Sequence, residues 1–192
     1  MNNKLINYFL KITSLTPDEI EVLTESMIIK KVSKGSFLVK EGQFNTDTFF
    51  VLDGLVRQYK LIDGNDITTN FYTEEQWIMS LESFEKETPS DYFLACVEDT
   101  TVVIGNEQKA QELFKQFPRF ETTSRQIMET VFFEQQKLMA SYITDKPEQR
   151  YLKLLKARPD IFQRVPQYDI ATYIGVKPES LSRIRKKLSE KG

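Results

Sequence analysis

Short apolar runs separated by turn residues fill residues 28–105, and this pattern limits the choice of fold more than any other feature of the chain. The runs recur about every ten residues and are rich in β-branched and aromatic side chains, as the strands of barrels and sandwiches are. Asp63-Gly64 separates two of the runs and has the composition of a tight hairpin turn. The turn glycines are Gly35, Gly42, Gly54 and Gly64. We therefore expect an all-β unit over this segment.

The flanking segments have helical patterns. The first 26 residues predict helix, and Thr16-Pro17-Asp18-Glu19 is a start signal with Thr16 as N-cap and Pro17 at the first position. A short helix is expected over residues 107–117, ended by Pro118. Residues 119–144 contain no glycine or proline, which predicts a helix of about seven turns.

The apolar stripe of this long helix is wider than one neighbour needs. Its members are Phe120, Ile127, Val131 and Leu138 on one side, with Met128, Phe132, Met139 and Tyr142 beside them. One part of the stripe can cover the β unit while the other pairs with a second copy of the chain. The alternative is a helix that packs only within its own chain.

The segment 165–188 predicts two helices joined by a tight turn at Gly175, with Pro178 at the first position of the second helix. On a helical wheel Leu181, Ile184 and Leu188 share one face, while Glu179, Arg183 and Lys186 share the opposite face, flanked by Ser180 and Ser182. Such a polar face can hydrogen-bond to base edges in the major groove, with Arg185, Lys186 and Lys187 near phosphates. The alternative is a small helical hairpin with a solvated charged face.

The charge distribution favours the first interpretation. Residues 146–192 carry twelve Lys and Arg against five Asp and Glu, although the whole chain has 26 and 28 and a net charge of −2. A basic end on an acidic body is expected where one end meets phosphate. A lysine-rich, solvated helix end would give the same count.

The composition excludes several classes of protein. The chain has no histidine and one cysteine, so a His-ligated zinc or haem, a Ser-His-Asp triad and an iron–sulfur cluster are excluded. Neither common phosphate-loop motif occurs. Glu74-Glu75 and Glu82, Glu85 and Glu87 are interpreted as solvated turns. We therefore expect no cofactor, no metal and no enzyme activity. Without a long apolar segment or a signal peptide, a cytoplasmic protein with no membrane partner is expected.

Two motifs carry a resemblance to a known family. The first is Lys34-Gly35, Val39-Lys40-Glu41-Gly42 and residues 48–57; the second is Ile170-Ala171, Ile174-Gly175-Val176, residues 178–183 and Leu188. Together they resemble the cyclic-AMP receptor/FNR (Crp/Fnr) family of transcription regulators. The resemblance implies an α+β chain with an N-terminal cyclic-nucleotide-binding-like β-roll (a jelly roll), a long dimerisation helix and a C-terminal helix-turn-helix. The corresponding boundaries are 1–117, 118–144 and 145–192.

The resemblance also implies a homodimer on a palindromic double-stranded DNA site, with RNA polymerase as a further partner. Glu179 and Arg183 match base-reading positions of the family, whereas Pro178 replaces a third, an arginine. The expected DNA-binding set is Lys177, Glu179, Ser180, Ser182, Arg183, Lys186 and Lys187. We expect Arg183→Ala to lose specific binding and Lys187→Ala mainly to lower the salt dependence.

The ligand residues of cyclic-AMP binders do not carry over. Met79 and Ser80 stand at the family's Gly-Glu pair, and Ser90 and Asp91 at its Arg-Ser pair, so the cation for the cyclic phosphate is missing. A response to cyclic AMP is therefore not expected, and the effector is unknown. Phe71, Trp77, Met79 and Tyr92, with these polar neighbours, could line a pocket for an uncharged ligand; core packing is the favoured alternative. The alternative function is a small-molecule sensor whose C-terminal domain binds a protein partner.

Overall fold

The computed structural model describes residues 4–79 and 88–190. The helices are α1 (Lys4–Leu10), α2 (Pro17–Ser26), α3 (Glu107–Gln116), α4 (Arg119–Thr144), α5 (Pro147–Ala157), α6 (Ile161–Arg164), α7 (Gln167–Tyr173) and α8 (Pro178–Ser189). The strands are β1 (Ile28–Val32), β2 (Phe37–Val39), β3 (Thr48–Asp53), β4 (Val56–Ile62), β5 (Asn65–Tyr72), β6 (Trp77–Ile78), β7 (Phe93–Cys96) and β8 (Thr100–Gly105). None of the helices in these ranges is long and apolar enough to cross a membrane.

The strands form two four-stranded antiparallel sheets, which with their shared core are here called the β-roll. The first sheet has the order β1-β8-β3-β6 and the second the order β2-β7-β4-β5. Side chains such as Val39, Val51 and Leu94 fill the space between the sheets. Asp63 and Gly64 both have positive φ, 51° and 76°, so the predicted hairpin turn between β4 and β5 is confirmed.

Helices cover the outer face of the first sheet. Phe9 of α1, Phe50 of β3 and Phe120 of α4 belong to one buried cluster on this face. The expected helix over the first 26 residues is divided in two, and the second begins at the predicted capping box of Thr16 and Glu19. Burial raises the pKa of Glu19, but hydrogen bonds from Arg119 and Thr16 outweigh it, so the pKa lies below its usual value. This pair fixes the start of α4 beside α2.

The long helix α4 is buried only in its first half. Phe120, Thr123 and Ile127 are its buried residues. Beyond them the exposed apolar side chains are Met128 (41%), Phe132 (58%), Phe133 (63%), Met139 (59%) and Ile143 (83%). At about 100° per residue, Met128, Phe132, Met139 and Ile143 lie within an arc of about 60°, on the side away from Ile127. Part of the apolar stripe on α4 is therefore left exposed to solvent by the rest of the chain.

The C-terminal helices pack on the second sheet. Leu55 and Phe71 of the β-roll share a hydrophobic cluster with Leu154, Ile161 and Ile170 of α5, α6 and α7. The short helix α6 was not foreseen in the sequence. Helix α4 ends at Thr144, and a common core crosses from the β-roll to the C-terminal helices.

Candidate nucleic-acid interface

The turn between α7 and α8 contains Gly175, where a side chain would be strained. This glycine has φ +74°, and a Cβ placed there would lie 3.2 Å from Nη2 of Arg150. The Nε of Arg150 donates to the carbonyl of Ile174 at 2.9 Å. The amide of Val176 donates to the carbonyl of Ala171 at 2.9 Å, and Ala171 is fully buried where the helices meet. A side-chain hydrogen bond from Arg150 and a backbone hydrogen bond from Val176 therefore hold the turn between the two helices.

Helix α8 buries the face that the wheel predicts. Leu181 is 1% exposed, and Ile184 and Leu188 are partly buried against the same cluster. On the opposite side the exposed residues are Glu179, Ser182, Arg183 and Lys186, while Ser180 is partly buried. Lys177 is the N-cap, makes no side-chain cap hydrogen bond, and precedes Pro178 at the first position. The predicted polar outer face of α8 is thus confirmed.

The charged side chains of α8 differ in their partners. Lys187 forms an ion pair with Glu148 of α5 at 2.6 Å, and Arg185 donates to Gln167 of α7 at 2.7 Å. Within the described ranges, the side chains of Arg183 and Glu179 form no hydrogen bond or ion pair, and both are exposed. Lys187, predicted to contact phosphate, therefore lies on the side of α8 that supports α5.

Helix α7 is held on the β-roll by buried polar contacts that the sequence did not indicate. Nη2 of Arg57 lies 3.1 Å from Oδ1 of Asp169, and the two side chains are only 10% and 11% exposed. Nearby, Oγ1 of Thr172 donates to Oγ1 of Thr68 at 3.0 Å and accepts from the Thr68 amide at 3.2 Å. The burial of Asp169 raises its pKa, and Arg57 opposes that shift. These contacts join β4 and β5 to α7, the helix that precedes α8.

A second polar contact lies at α6. Arg164 binds Glu74 at 2.9 Å and also pairs with Glu98, both from the β-roll. The hydrogen bonds that Arg164 donates to Glu98 and Glu74 raise its pKa above the usual value. For Glu74, burial raises the pKa but the hydrogen bonds from Arg164 and the Gly54 amide outweigh it, leaving the pKa lowered. The orientation of α8 relative to the β-roll is therefore defined by ion pairs as well as by the apolar cluster.

The comparisons with known proteins agree with this architecture. Residues 29–117 match the family model of the cyclic nucleotide-binding domain. The c-di-GMP-responsive global regulator CLP of Xanthomonas campestris is similar in structure, with a TM-score of 0.70 and 15% identity over 92% of this chain and 93% of that one. A putative Crp/Fnr-family transcriptional regulator from Eubacterium rectale gives 0.69 and 18% over 97% and 89%. The chain has the Crp/Fnr fold.

Other solved structures support the same fold. FixK2 of Bradyrhizobium japonicum has a TM-score of 0.69 and 17% identity, over 86% of each chain. No curated protein sequence matches the chain. At these identities the likeness establishes the fold of the Crp/Fnr regulators, with a cyclic nucleotide-binding domain at residues 29–117.

The structure does not bring the candidate ligand residues of this Crp/Fnr fold into one pocket. Phe71 packs in the cluster shared with the C-terminal helices, and Tyr92 in the core of the β-roll. Trp77 and Met79 line a cavity of about 450 Å³ between the first sheet and the surrounding helices. Ser80 lies outside the described residues. These side chains therefore lie in three different environments. Phe71 and Tyr92 are in hydrophobic cores, whereas Trp77 and Met79 line a cavity.

Ser90 and Asp91, which stand where cyclic-AMP binders hold the cyclic phosphate, contact neighbouring residues of the β-roll. Ser90 is buried, its hydroxyl donates to the carbonyl of Tyr92 at 3.0 Å, and its amide donates to the carbonyl of Gln43 at 2.9 Å. Asp91 is exposed and forms an ion pair with Lys60. In residues 4–79 and 88–190 there is no cluster of acidic or thiol side chains that could hold a metal ion.

Proposed function

We propose that the chain is a homodimeric, sequence-specific DNA-binding transcription regulator of the Crp/Fnr type. In this proposal residues 1–117 form the sensor domain, 118–144 the dimerisation helix and 145–192 the helix-turn-helix that binds DNA. The observation that carries the proposal is the exposed face of α8, where Glu179 and Arg183 project from a helix anchored by Leu181. The Crp/Fnr fold of the whole chain supports it.

The chemistry of this face suits the major groove. Glu179 can accept a hydrogen bond from N4 of cytosine, and Arg183 can donate two to O6 and N7 of guanine. The two residues are four positions apart and therefore lie about one helical turn from each other on one side of α8. Neither has a partner within the described residues, so binding a base edge breaks no existing contact of their side chains. Lys177, Ser180, Ser182 and Lys186 are assigned to phosphates, and Lys187 to a phosphate that competes with Glu148 for its ammonium.

Dimerisation explains the exposed stripe of α4. Met128, Phe132, Met139 and Ile143 form a narrow apolar strip along about four turns of helix, as a coiled-coil seam requires. The opposite side of α4 faces the β-roll, so a second copy can approach the strip without displacing anything. A two-fold axis along α4 presents two copies of α8, which favours a palindromic site with half-sites about 34 Å apart.

The β-roll is assigned as a sensor that does not respond to cyclic AMP. Ser90 and Asp91 supply no cation for a cyclic phosphate, and the hydroxyl of Ser90 is bound to Tyr92. Lys60 lies beside Asp91, but that lysine is neutralised by the same carboxylate. A purified protein is therefore expected to bind its DNA site with unchanged affinity when cyclic AMP is added.

The salt dependence of DNA binding tests the proposal against a C-terminal domain that binds a protein partner. Affinity for duplex DNA is measured by fluorescence anisotropy at several salt concentrations. Because each phosphate contact contributes about −0.9 to the slope of log K against log salt, a dimer is expected to show a slope steeper than about −4. Weak, salt-insensitive binding would favour the protein-partner alternative.

Two neighbouring lysines provide a matched pair of variants. Lys186 is exposed and 4.0 Å from Glu190, whereas Lys187 is held on Glu148. Lys186→Ala is expected to reduce the slope by about two units per dimer, and Lys187→Ala by less, because its ammonium already has a partner. Arg183→Ala is expected to lose the preference between sequences, at a cost of about 1–3 kcal/mol per half-site. Unchanged sequence preference in Arg183→Ala would rule out α8 as the reading helix.

A further inference from the structure

A cavity of about 790 Å³ lies where the β-roll, the second half of α4 and the C-terminal helices meet. It is here called the junction cavity. Its walls come from all three parts: Asn70, Tyr72 and residues 75–77 of the β-roll, one side of α4 from Thr130 to Thr144 that includes Glu134, Leu138 and Tyr142, and Arg150, Arg158 and Tyr173 of the C-terminal helices. Ser90, Asp91 and Tyr92 do not line it, so it is separate from the positions discussed for the cyclic phosphate. Its volume is within the range of small-molecule sites.

Two guanidinium groups give the junction cavity a positive wall. Arg158 donates to the carbonyl of Phe71 at 2.7 Å and to Oγ1 of Thr73 at 3.1 Å, and Arg150 donates to the carbonyls of Ile174 and Asp145 at 2.9 and 2.6 Å. Among the described residues neither forms an ion pair. Because a guanidinium has five N–H donors, each retains donors beyond these contacts. Burial lowers the pKa of Arg158, as expected for a cation removed from water without a contacting carboxylate.

Other charges in the cavity largely cancel. Lys153 pairs with Asp145 at 2.5 Å, and Glu75 pairs with Lys11. Lys137 and Glu134 are both exposed on α4 and lie at the cavity's edge. The uncompensated charge is therefore that of the two arginines, which favours an anionic ligand.

Aromatic side chains form the rest of the wall. Tyr142 and Tyr173 meet edge to face with ring centroids 6.4 Å apart, and the guanidinium of Arg150 lies 5.3 Å from the Tyr142 ring centroid. Trp77 also lines the cavity, and its buried indole N–H has no hydrogen-bond partner within the described residues. Aromatic walls and an unsatisfied donor beside arginines suit a ligand that carries both a ring and an acceptor group.

We propose that the junction cavity binds an aromatic carboxylate, with Arg158 and Arg150 holding the carboxylate and Tyr142, Tyr173 and Trp77 contacting the ring. This effector assignment rests on the proposed function. Because the walls belong to three parts of the chain, an occupied cavity stabilises this arrangement of the C-terminal helices against the β-roll. By linkage, the ligand then changes affinity for DNA, and DNA changes affinity for the ligand by the same factor.

The single tryptophan provides the assay, because Trp77 is the chain's only indole and lines the junction cavity as well as the cavity of about 450 Å³. Among the described residues no arginine lines that second cavity, so a preference for an acid over its amide assigns the signal to the junction cavity. The full-length protein is titrated with hydrocinnamate and, separately, with its uncharged amide, and the fluorescence of Trp77 is followed. Hydrocinnamate is expected to bind at least tenfold more tightly than the amide, and acetate and inorganic phosphate are expected not to bind. Equal affinities for acid and amide, or no fluorescence change with either at millimolar concentration, would overturn the proposal.

A variant that leaves the cavity's packing intact gives a second test. Glu134→Gln removes an exposed carboxylate from the edge of the cavity, and it is expected to tighten hydrocinnamate binding about threefold without changing binding of the amide. Unchanged or weakened binding of hydrocinnamate would argue against an anion at Arg158. Since both titrations use the protein without DNA, failure of DNA binding leaves them interpretable. Conversely, a protein that binds DNA but not hydrocinnamate refutes only the cavity proposal.

Discussion

Replacing Arg57 by methionine is expected to destabilise the docking of α7 more than replacing Asp169 by asparagine, although the two side chains form one ion pair. Without Arg57, the carboxylate of Asp169 stays buried, at 11% exposure, with no cation in contact among the described residues. Without the Asp169 carboxylate, Arg57 keeps Asp66 at 3.2 Å and Oγ1 of Thr68 at 2.8 Å. The two substitutions differ in cost because Arg57→Met leaves a buried charge unpaired, whereas Asp169→Asn does not.

The structure allows both costs to be estimated. An uncompensated buried charge costs about 3–5 kcal/mol, which applies to Arg57→Met. Asp169→Asn removes the carboxylate that lies 3.1 Å from Nη2 of Arg57, while the remaining charge stays paired with Asp66, which costs about 1–2 kcal/mol. The double variant Arg57→Met with Asp169→Leu is expected to be more stable than Arg57→Met alone, because no buried charge then lacks a partner.

Hydrogen exchange measures this effect where it arises. Amide protection of α7 is compared with that of β3 in wild type and variants at one protomer concentration, because the proposed dimerisation would also contribute to stability. Relative to wild type, amide protection in α7 is expected to fall most in Arg57→Met and less in Asp169→Asn. Protection in β3 is expected to change little in either variant. Equal losses in the two single variants, or no loss in either, would refute the reasoning that this pair holds α7 on the β-roll.

Three further changes test other parts of the molecule. Phe132→Glu places a charge in the exposed strip of α4 and is expected to yield monomers in analytical ultracentrifugation, whereas Gln126→Glu, also on α4 but outside the strip, leaves the dimer intact. Gly175→Ala is expected to cost about 1–2 kcal/mol in urea unfolding, because φ is +74° and the methyl group approaches Arg150. The lowered pKa of Glu74 means that its contribution to stability is present above its ordinary value of 4.5 and is lost as the pH falls through its lower folded value. Glu74→Gln should therefore reduce the loss of unfolding free energy at acidic pH. An unchanged dependence of unfolding free energy on pH would show that Glu74 does not contribute to it.

Local patterns in the sequence were enough to predict most elements. The glycine-punctuated runs became strands, Asp63-Gly64 a hairpin turn, and residues 119–144 one helix, because alternation, turn chemistry and helical periodicity act over a few residues. The buried face of α8 followed from the same periodicity. The first 26 residues were predicted as one helical region, but the capping box at Thr16 starts a separate helix.

Contacts between distant segments could not be predicted in this way. Arg57 and Asp169 stand more than a hundred positions apart, and neither has a local pattern that marks it as buried. For the same reason Lys187 was grouped with Lys186, although Glu148 of another helix holds it. The junction cavity could not be predicted from the sequence, because its walls come from three separate parts of the chain. Such features depend on how the helices and strands pack against one another, which cannot be inferred from a single sequence.

Selection of bound sites from a pool of random duplex DNA tests the central claim most directly. The purified full-length protein is carried through several rounds at about 150 mM salt without added ligand. The account predicts enrichment of a palindrome whose half-sites are about one helical turn apart, and loss of that enrichment with Arg183→Ala. A pool that stays unenriched, both with the protein alone and with hydrocinnamate or cell extract added, would contradict it.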